Sequence, residues 1–396
     1  MNDISFINSA GASSLRIQAV QAPIIPAVAA LIRERPGTIS LGQGVVRYAP
    51  PPQAIARIRD SLAQSDSHGY GQAQGIPELR QALINKLDTE NAIHVRDRSR
   101  IMITAGSNMG FFYAVLAITE PDDEIILPAP FYFNHEMAIT MAGCRAVPVA
   151  TDADYHLRPD CIAAAITTRT RAIVTVSPNN PTGAVYSQAA LREVNDLCRK
   201  RRLYHISDEA YESFTWDGAR HFSPGSLPGA HAHTISLFSF SKGFALAGWR
   251  VGYMVLPEHL VSPVGKVQDT VLICPPTVSQ HAALGALESD PAYTRENIRT
   301  IGDVRQAVIR QLDELKGRID PPRAEGAFYV LLRVHTDMAD MTLVERLIRE
   351  YGVAVIPGSA FGIEAGCYLR IAYGALQKET VAEGIGRLVR GLQALP

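Results

Sequence analysis

Through the middle of the chain, short apolar runs rich in β-branched residues alternate with longer segments whose apolar positions recur at helical spacing. The runs are Arg100 to Thr104, Glu124 to Leu127, Arg145 to Val149, Ala172 to Val176, Leu203 to Ile206 and Thr234 to Phe238. Ser107 to Thr119 and Ser187 to Arg202 are two of the helical segments. This alternation predicts an α/β protein with a mostly parallel or mixed sheet covered on both faces. Ligands of such sheets sit beyond the carboxyl ends of the strands, so chemistry is sought just after each strand. Past Tyr253 to Pro257 the chain turns helical, with later short strands at Ala327 to Leu332 and Tyr368 to Ala372. The pattern predicts an N-terminal arm and part of a small domain over 1–45, a large domain over 46–285 and a small α+β domain over 286–396. The Pro-rich stretch Ala49-Pro50-Pro51-Pro52 marks the first change.

Composition narrows the function classes. At 396 residues, 47% hydrophobic and 19% charged, the chain has a soluble globular balance rather than that of a disordered or disulfide-scaffold protein. Lys and Arg total 38 against 39 Asp and Glu, a net charge of -1, which gives no electrostatic support for a nucleic-acid or membrane partner. The opening MNDISFINSAGASSLR carries no leader pattern, and no run reaches the ~18 apolar residues of a membrane span. Five scattered cysteines, none in a CxxC pair, read as reduced thiols of a cytoplasmic chain. His231 and His233 form an HxH pair in a Gly/Pro/Ser-rich stretch, which reads as a surface loop; no metal is expected.

The densest chemical signal is Ser239-Phe240-Ser241-Lys242-Gly243-Phe244-Ala245-Leu246-Ala247-Gly248-Trp249-Arg250-Val251-Gly252, directly after a strand. A lysine among small residues, desolvated or near other cations, has a lowered amine pKa and forms a Schiff base with a carbonyl. Arg250 can supply a fixed cation, and Ser239 a hydroxyl, to a phosphate. Taken singly, these residues read as a surface lysine and a salt-bridged arginine. Ser107 and Asn108 follow Thr104-Ala105-Gly106 at a helix start, where free amides favour an anion. Asp208 sits at a strand end, a position that also suits a helix N-cap. Asn180 stands in Ser177-Pro178-Asn179-Asn180-Pro181-Thr182-Gly183, which by itself is turn chemistry.

The stretch around Lys242 resembles the pyridoxal-phosphate attachment signature of the class I/II aminotransferases, of the aspartate and kynurenine aminotransferase-like kind. The other family motifs follow in order from about residue 40 to 375. The resemblance implies fold type I: a large domain whose mostly parallel seven-stranded sheet lies between helices, plus a smaller α+β domain. Pyridoxal 5'-phosphate is the implied cofactor, joined to Lys242. Ser107, Asn108, Ser239 and Arg250 would hold its phosphate, and Asp208 its ring nitrogen. Tyr211 and Asn180 would reach its phenolic oxygen, and Phe131, with Tyr132 as the alternative, would stack on its ring. Tyr70, in His68-Gly69-Tyr70-Gly71, would reach the phosphate of the neighbouring subunit, which implies a homodimer. Arg370, in Tyr368-Leu369-Arg370-Ile371-Ala372-Tyr373, would grip the substrate α-carboxylate, helped by Asn180 and a backbone amide near Gly44.

The implied reaction is ping-pong transamination from an L-amino acid to a 2-oxo acid, with Lys242 as base; the scaffold also serves lyases, cyclases and oxidases of specialised amino-acid metabolism. The aminotransferase-like effector domains of some regulators carry a preceding DNA-binding domain, for which this sequence has no basic patch. After Gly44 the chain reads Val45-Val46-Arg47-Tyr48, where many relatives carry an acid. Arg47 reads either as a binder of an acidic substrate side chain or as half of a surface ion pair. In one aspartate-using branch a lysine stands in place of Asn108, so dicarboxylate preference stays open. The Gly248-Trp249-Arg250-Val251-Gly252 stretch and the Leu41-Gly42-Gln43-Gly44 opening lean toward the kynurenine, glutamine and methionine branch.

Overall fold

The computed structural model describes residues 13–64 and 68–395, so most of the opening segment read for a leader lies outside the described residues. A short strand β1 (Ile39–Ser40) precedes seven strands that form the central sheet. These are β2 (Ile101–Thr104), β3 (Glu124–Ala129), β4 (Arg145–Ala150), β5 (Thr170–Val176), β6 (Tyr204–Asp208), β7 (Thr234–Ser239) and β8 (Gly252–Val255). Their spatial order is β2-β8-β7-β6-β5-β3-β4. Strand β8 runs antiparallel to both β2 and β7, and all other pairings are parallel. The sheet is therefore mostly parallel, and the carboxyl ends of β2, β3, β5, β6 and β7 share one edge.

Burial explains the apolar runs. Every residue of β2 and β8 is buried, whereas β4 at the sheet edge is largely accessible. Successive residues of β2 serve opposite faces. Ile101 and Ile103 pack with Leu79, Leu83 and Leu87 of the helix Pro77–Asn91. Met102 packs with Phe111 and Val115 of the helix Ser107–Ile118. Helices thus cover both sides, as the alternation predicts.

The remaining strands are β9 (Tyr329–Val334), β10 (Val353–Ala354), β11 (Ile356–Pro357) and β12 (Cys367–Ala372). Strands β11, β12 and β9 form an antiparallel sheet, while β10 pairs in parallel with β1. Val28 and Leu41 from the N-terminal part share one hydrophobic cluster with these strands and with the helices Pro291–Leu312 and Lys378–Gln393. Strand β9 begins two residues later than its apolar pattern suggests, because Ala327 takes a left-handed φ of 54° and the chain turns there. His233 departs from the surface-loop expectation: it is buried and bonds Asn195, while His231 stays exposed. No group of His, Cys, Asp and Glu among the described residues is arranged to hold a metal ion, and no described helix is long and apolar enough to cross a membrane.

Candidate active site

The shared strand edge brings together residues that are far apart in sequence. Ser107, Asn108, Asn180, Asp208, Tyr211, Ser239, Lys242 and Arg250 line one cavity of about 490 Å³, with Tyr132, Val176, Ala210 and Ser241 completing its wall. Each stands at the end of a strand, in the segment just after one or in the turn leading into β8, as expected for a sheet of this type.

Lys242 is the cation of the cavity's centre. Its Nζ donates to the carbonyl of Gly44, and the amine lies 5.8 Å from the centroid of the Tyr211 ring. Burial pulls its pKa down to about 8, assisted by the positive charges of Arg370 and Arg250 and opposed by Asp208. The hydroxyl of Tyr48 donates to the carbonyls of Lys242 and Gly243, 3.0 Å each, and so fixes the turn that carries the lysine.

At one end, Ser107 and Asn108 open a helix whose N-cap, Gly106, has no side chain to satisfy the free amides. The Arg250 guanidinium lies against this turn: a Cβ on Gly106, whose φ is 86°, would fall 2.5 Å from Nη2. A Cβ on Gly252 would fall 2.8 Å from the Ser107 amide. Both glycines therefore leave room for an oxyanion cradle formed by helix amides, serine hydroxyls and a guanidinium. Ser241 belongs to this cradle although the motif reading passed it over. Its place two residues after Ser239, directly before Lys242, was the available signal.

At the other end, Asp208 is buried and makes two contacts. Its Oδ1 accepts from the Ala210 amide at 3.1 Å within a turn; no helix starts there, so the N-cap alternative is not realised. Its Oδ2 lies 3.1 Å from His135 Nε2, and the His135 ring is stacked on Phe111 with centroids 4.0 Å apart. His135 Nδ1 is buried without a partner among the described residues, so Nε2 is the ring nitrogen that reaches Asp208. Sequence reasoning missed His135, since nothing in its local pattern distinguishes it.

Arg370 lies on β12 and is only 2% exposed. Nη1 donates to Asn180 Oδ1 at 3.0 Å and Nη2 to the Gly42 carbonyl at 2.7 Å, while Nε has no partner. The guanidinium is held between the rings of Tyr329 and Phe361, 4.7 Å and 5.1 Å from their centroids. No described carboxylate forms an ion pair with it, so a buried cation without a counter-charge lies directly behind Asn180 of the cavity wall, which it does not itself line.

Two sequence expectations change, those for Phe131 and Arg47. Phe131 does not line this cavity; its backbone amide bonds Phe361 and its ring packs against Gly362, Leu127, Val174 and Tyr186. Tyr132, the alternative, occupies the wall, with its hydroxyl accepting from Asn134 at 2.8 Å and Asn108 at 3.4 Å. The reason is directional: successive side chains after a strand point to opposite sides, and position 131 points into the core. Gly44 presents its carbonyl to Lys242. Arg47 is exposed and makes no side-chain ion pair among the described residues, so the surface-pair alternative is not realised. Tyr70, 84% exposed, lies away from its own chain's cavity.

Comparison with known proteins agrees with this arrangement. The family described as Aminotransferase class I and II matches residues 36–388. The aromatic aminotransferase ISS1 of Arabidopsis thaliana is 31% identical over 98% of this chain and 98% of its own length. An aspartate aminotransferase of Pyrococcus abyssi is 33% identical over 90% of this chain and 92% of its own. Among solved structures, a double mutant of Thermus thermophilus aspartate aminotransferase superimposes with a TM-score of 0.89 at 32% identity, covering 96% of this chain and 99% of that one.

Proposed function

We propose, for a chain that belongs to the class I and II aminotransferases and is a pyridoxal-phosphate-dependent transaminase, that Lys242, Asp208 and Arg370 are the three residues around which its reaction is organised. The observation that carries this reading is the buried Arg370, with no ion-pair partner and an unpartnered Nε among the described residues, bonded to Asn180 of the cavity wall and near enough to Lys242 for its charge to help lower the lysine's pKa. An α-amino acid supplies the two complementary groups, a carboxylate for the arginine and an amine to exchange with the lysine.

The residues present fit the cofactor. The Gly106–Arg250–Gly252 cradle suits its phosphate, with Ser107, Asn108, Ser239 and Ser241 as further donors. Asp208, fixed in place by the Ala210 amide and His135, suits its ring nitrogen; Tyr211 and Asn180 suit its phenolic oxygen, and Tyr132 its ring face. Pyridoxal phosphate, when bound, supplies an electron sink that stabilises negative charge at the substrate α-carbon. Arg370 and Asn180 would orient the α-carboxylate, and Lys242 Nζ would be the base that takes the α-proton. Its lowered pKa keeps a useful fraction of the amine neutral near pH 7 to 8.

As donors we propose an aromatic or dicarboxylic L-amino acid, with a 2-oxo dicarboxylic acid such as 2-oxoglutarate as acceptor. The relatives named for aromatic and aspartate substrates support this range, and the exposed, unpaired Arg47, close in sequence to Gly44, is available to a distal carboxylate. Tyr70, projecting away from its own site, supports a homodimer in which it completes the neighbour's phosphate cradle. Five unpaired cysteines suit a reducing, cytoplasmic setting. The test is an absorbance spectrum of the purified holoenzyme while amino acids are added one at a time without acceptor. Conversion of the visible band to the amino form of the cofactor by aromatic or acidic amino acids supports the reading; a band that no such amino acid converts removes it.

A further inference from the structure

Tyr329 is an unassigned neighbour of this centre. Its hydroxyl lies 2.7 Å from that of Tyr211, and the two rings meet edge-on with centroids 5.4 Å apart. It is wedged in place: a Cβ on Gly44 would fall 2.5 Å from its Oη, and the Arg370 guanidinium covers its ring. Burial keeps both phenols protonated, pushing Tyr329 up to about 12 and Tyr211 well above its usual value. Two hydrogens therefore compete for one short contact between oxygens.

Counting donors and acceptors settles their directions. Tyr211 is the hydrogen-bond partner that the described residues offer to Tyr329 Oη, so a Tyr329 hydrogen pointing elsewhere would be left unsatisfied in a buried place. Asn180 is oriented without ambiguity. Arg370 can only donate, so Asn180 Oδ1 faces Nη1, which leaves Nδ2 facing Tyr211 Oη at 3.5 Å. The Tyr211 oxygen then accepts from Tyr329 and from Asn180, and both its lone pairs are engaged. Its own hydrogen has the cavity left to it, which Tyr211 lines together with Lys242.

We propose that Tyr329 is a positioning residue that, by donating to Tyr211, turns the Tyr211 hydroxyl into the cavity as a donor to an anionic oxygen. This rests on the reading that Tyr211 faces the phenolic oxygen of pyridoxal phosphate. A donor that is itself accepting hydrogen bonds is polarised and donates more strongly, so Tyr329 contributes both direction and strength. Its effect passes through Tyr211 and requires no contact with the substrate.

The readout is the pH midpoint at which the visible absorbance of the substrate-free holoenzyme changes. A donor to the phenolic oxygen stabilises its anion and lowers that midpoint. Tyr211→Phe is expected to raise it. Tyr329→Phe, which keeps the ring on Arg370, is expected to raise it by less, roughly half a pH unit. Added to Tyr211→Phe, it is expected to change nothing further. A fall in Tyr329→Phe overturns the proposal, since it means that Tyr211 had been donating to Tyr329 and was set free. A shift that persists undiminished in the Tyr211→Phe background overturns it too. If Tyr211→Phe moves the midpoint and Tyr329→Phe does not, the proposal fails alone; if Tyr211→Phe does not move it, the assignment of Tyr211 falls and takes the proposal with it.

Discussion

Asp208 and His135 meet through a buried 3.1 Å hydrogen bond between Oδ2 and Nε2. The Ala210 amide donates to the other carboxyl oxygen at 3.1 Å, so both oxygens of Asp208 have a partner inside the protein. Asp208→Asn removes the charge and keeps the shape. Its kcat/KM is expected to fall by about 10²- to 10³-fold, with cofactor still bound, the order seen when one fixed electrostatic group is removed from an active site. His135→Phe retains the stack on Phe111 and loses the hydrogen bond, so a smaller loss, about tenfold, is expected. Steady-state kinetics on cofactor-saturated variants check both, and equal losses would place the imidazole in direct contact with the chemistry.

Lys242 carries the pH dependence of cofactor attachment. Its pKa is lowered from 10.5 to about 8 by burial first and by Arg370 and Arg250 second. Only the neutral amine attacks a carbonyl, so in the cofactor-free protein the rate of attachment rises with pH up to about 8 and levels off above it. An exposed lysine would still be gaining rate toward 10. Stopped-flow absorbance after mixing with pyridoxal phosphate across this range measures the plateau. Lys242→Ala is expected to show neither the attached-cofactor band nor measurable turnover.

Arg370→Lys retains a positive charge and loses the planar fork. Nη1 and Nη2 now hold Asn180 and Gly42, and an ammonium cannot hold both and a carboxylate in one plane. KM for the amino donor is expected to rise by about 10- to 100-fold, a loss of roughly 1.5 to 3 kcal/mol of charge-assisted bonding. Cofactor affinity, read by equilibrium dialysis, should stay within about twofold, because the phosphate cradle lies at the other end of the cavity.

Arg47→Ala separates the two proposed donor classes. Its side chain is exposed and free of ion pairs among the described residues, so its removal should leave folding unchanged. For dicarboxylic donors KM is expected to rise about three- to tenfold, and for aromatic donors to stay constant. Parallel KM measurements for the two classes decide it; equal KM values for both in the variant and the parent would take Arg47 out of the site.

The central sheet was legible because strands buried on both faces must be continuously apolar, and every such run in the sequence formed a strand of that sheet. Motif residues at strand ends were legible for a related reason: one sheet edge collects them whatever their separation along the chain. The choice between Phe131 and Tyr132 was not, since it depends on which side of a loop faces the cavity, and adjacent aromatic residues carry no mark of that. His135 and Tyr329 were invisible as site neighbours, because each acts through a long-range contact, with Asp208 and Tyr211 respectively. The burial of His233 depends on Asn195 in a distant helix, which a composition-based view of its loop could not include.

The antiparallel strand β8 closes the sheet between β2 and β7, and pairs Ile101 with Val255 and Ser239 with Gly252. Ser107 follows the first of these neighbours, Ser239 ends the second, and Arg250 stands just before β8 itself. The phosphate cradle is therefore not a local loop: it needs residues 252–255 seated between two other strands, one of them well over a hundred residues earlier in the chain. During synthesis, a nascent chain that has not yet released β8 has no place for the cofactor. Binding then locks a finished sheet by mass action, and cofactor affinity becomes a measure of whether that last strand is seated.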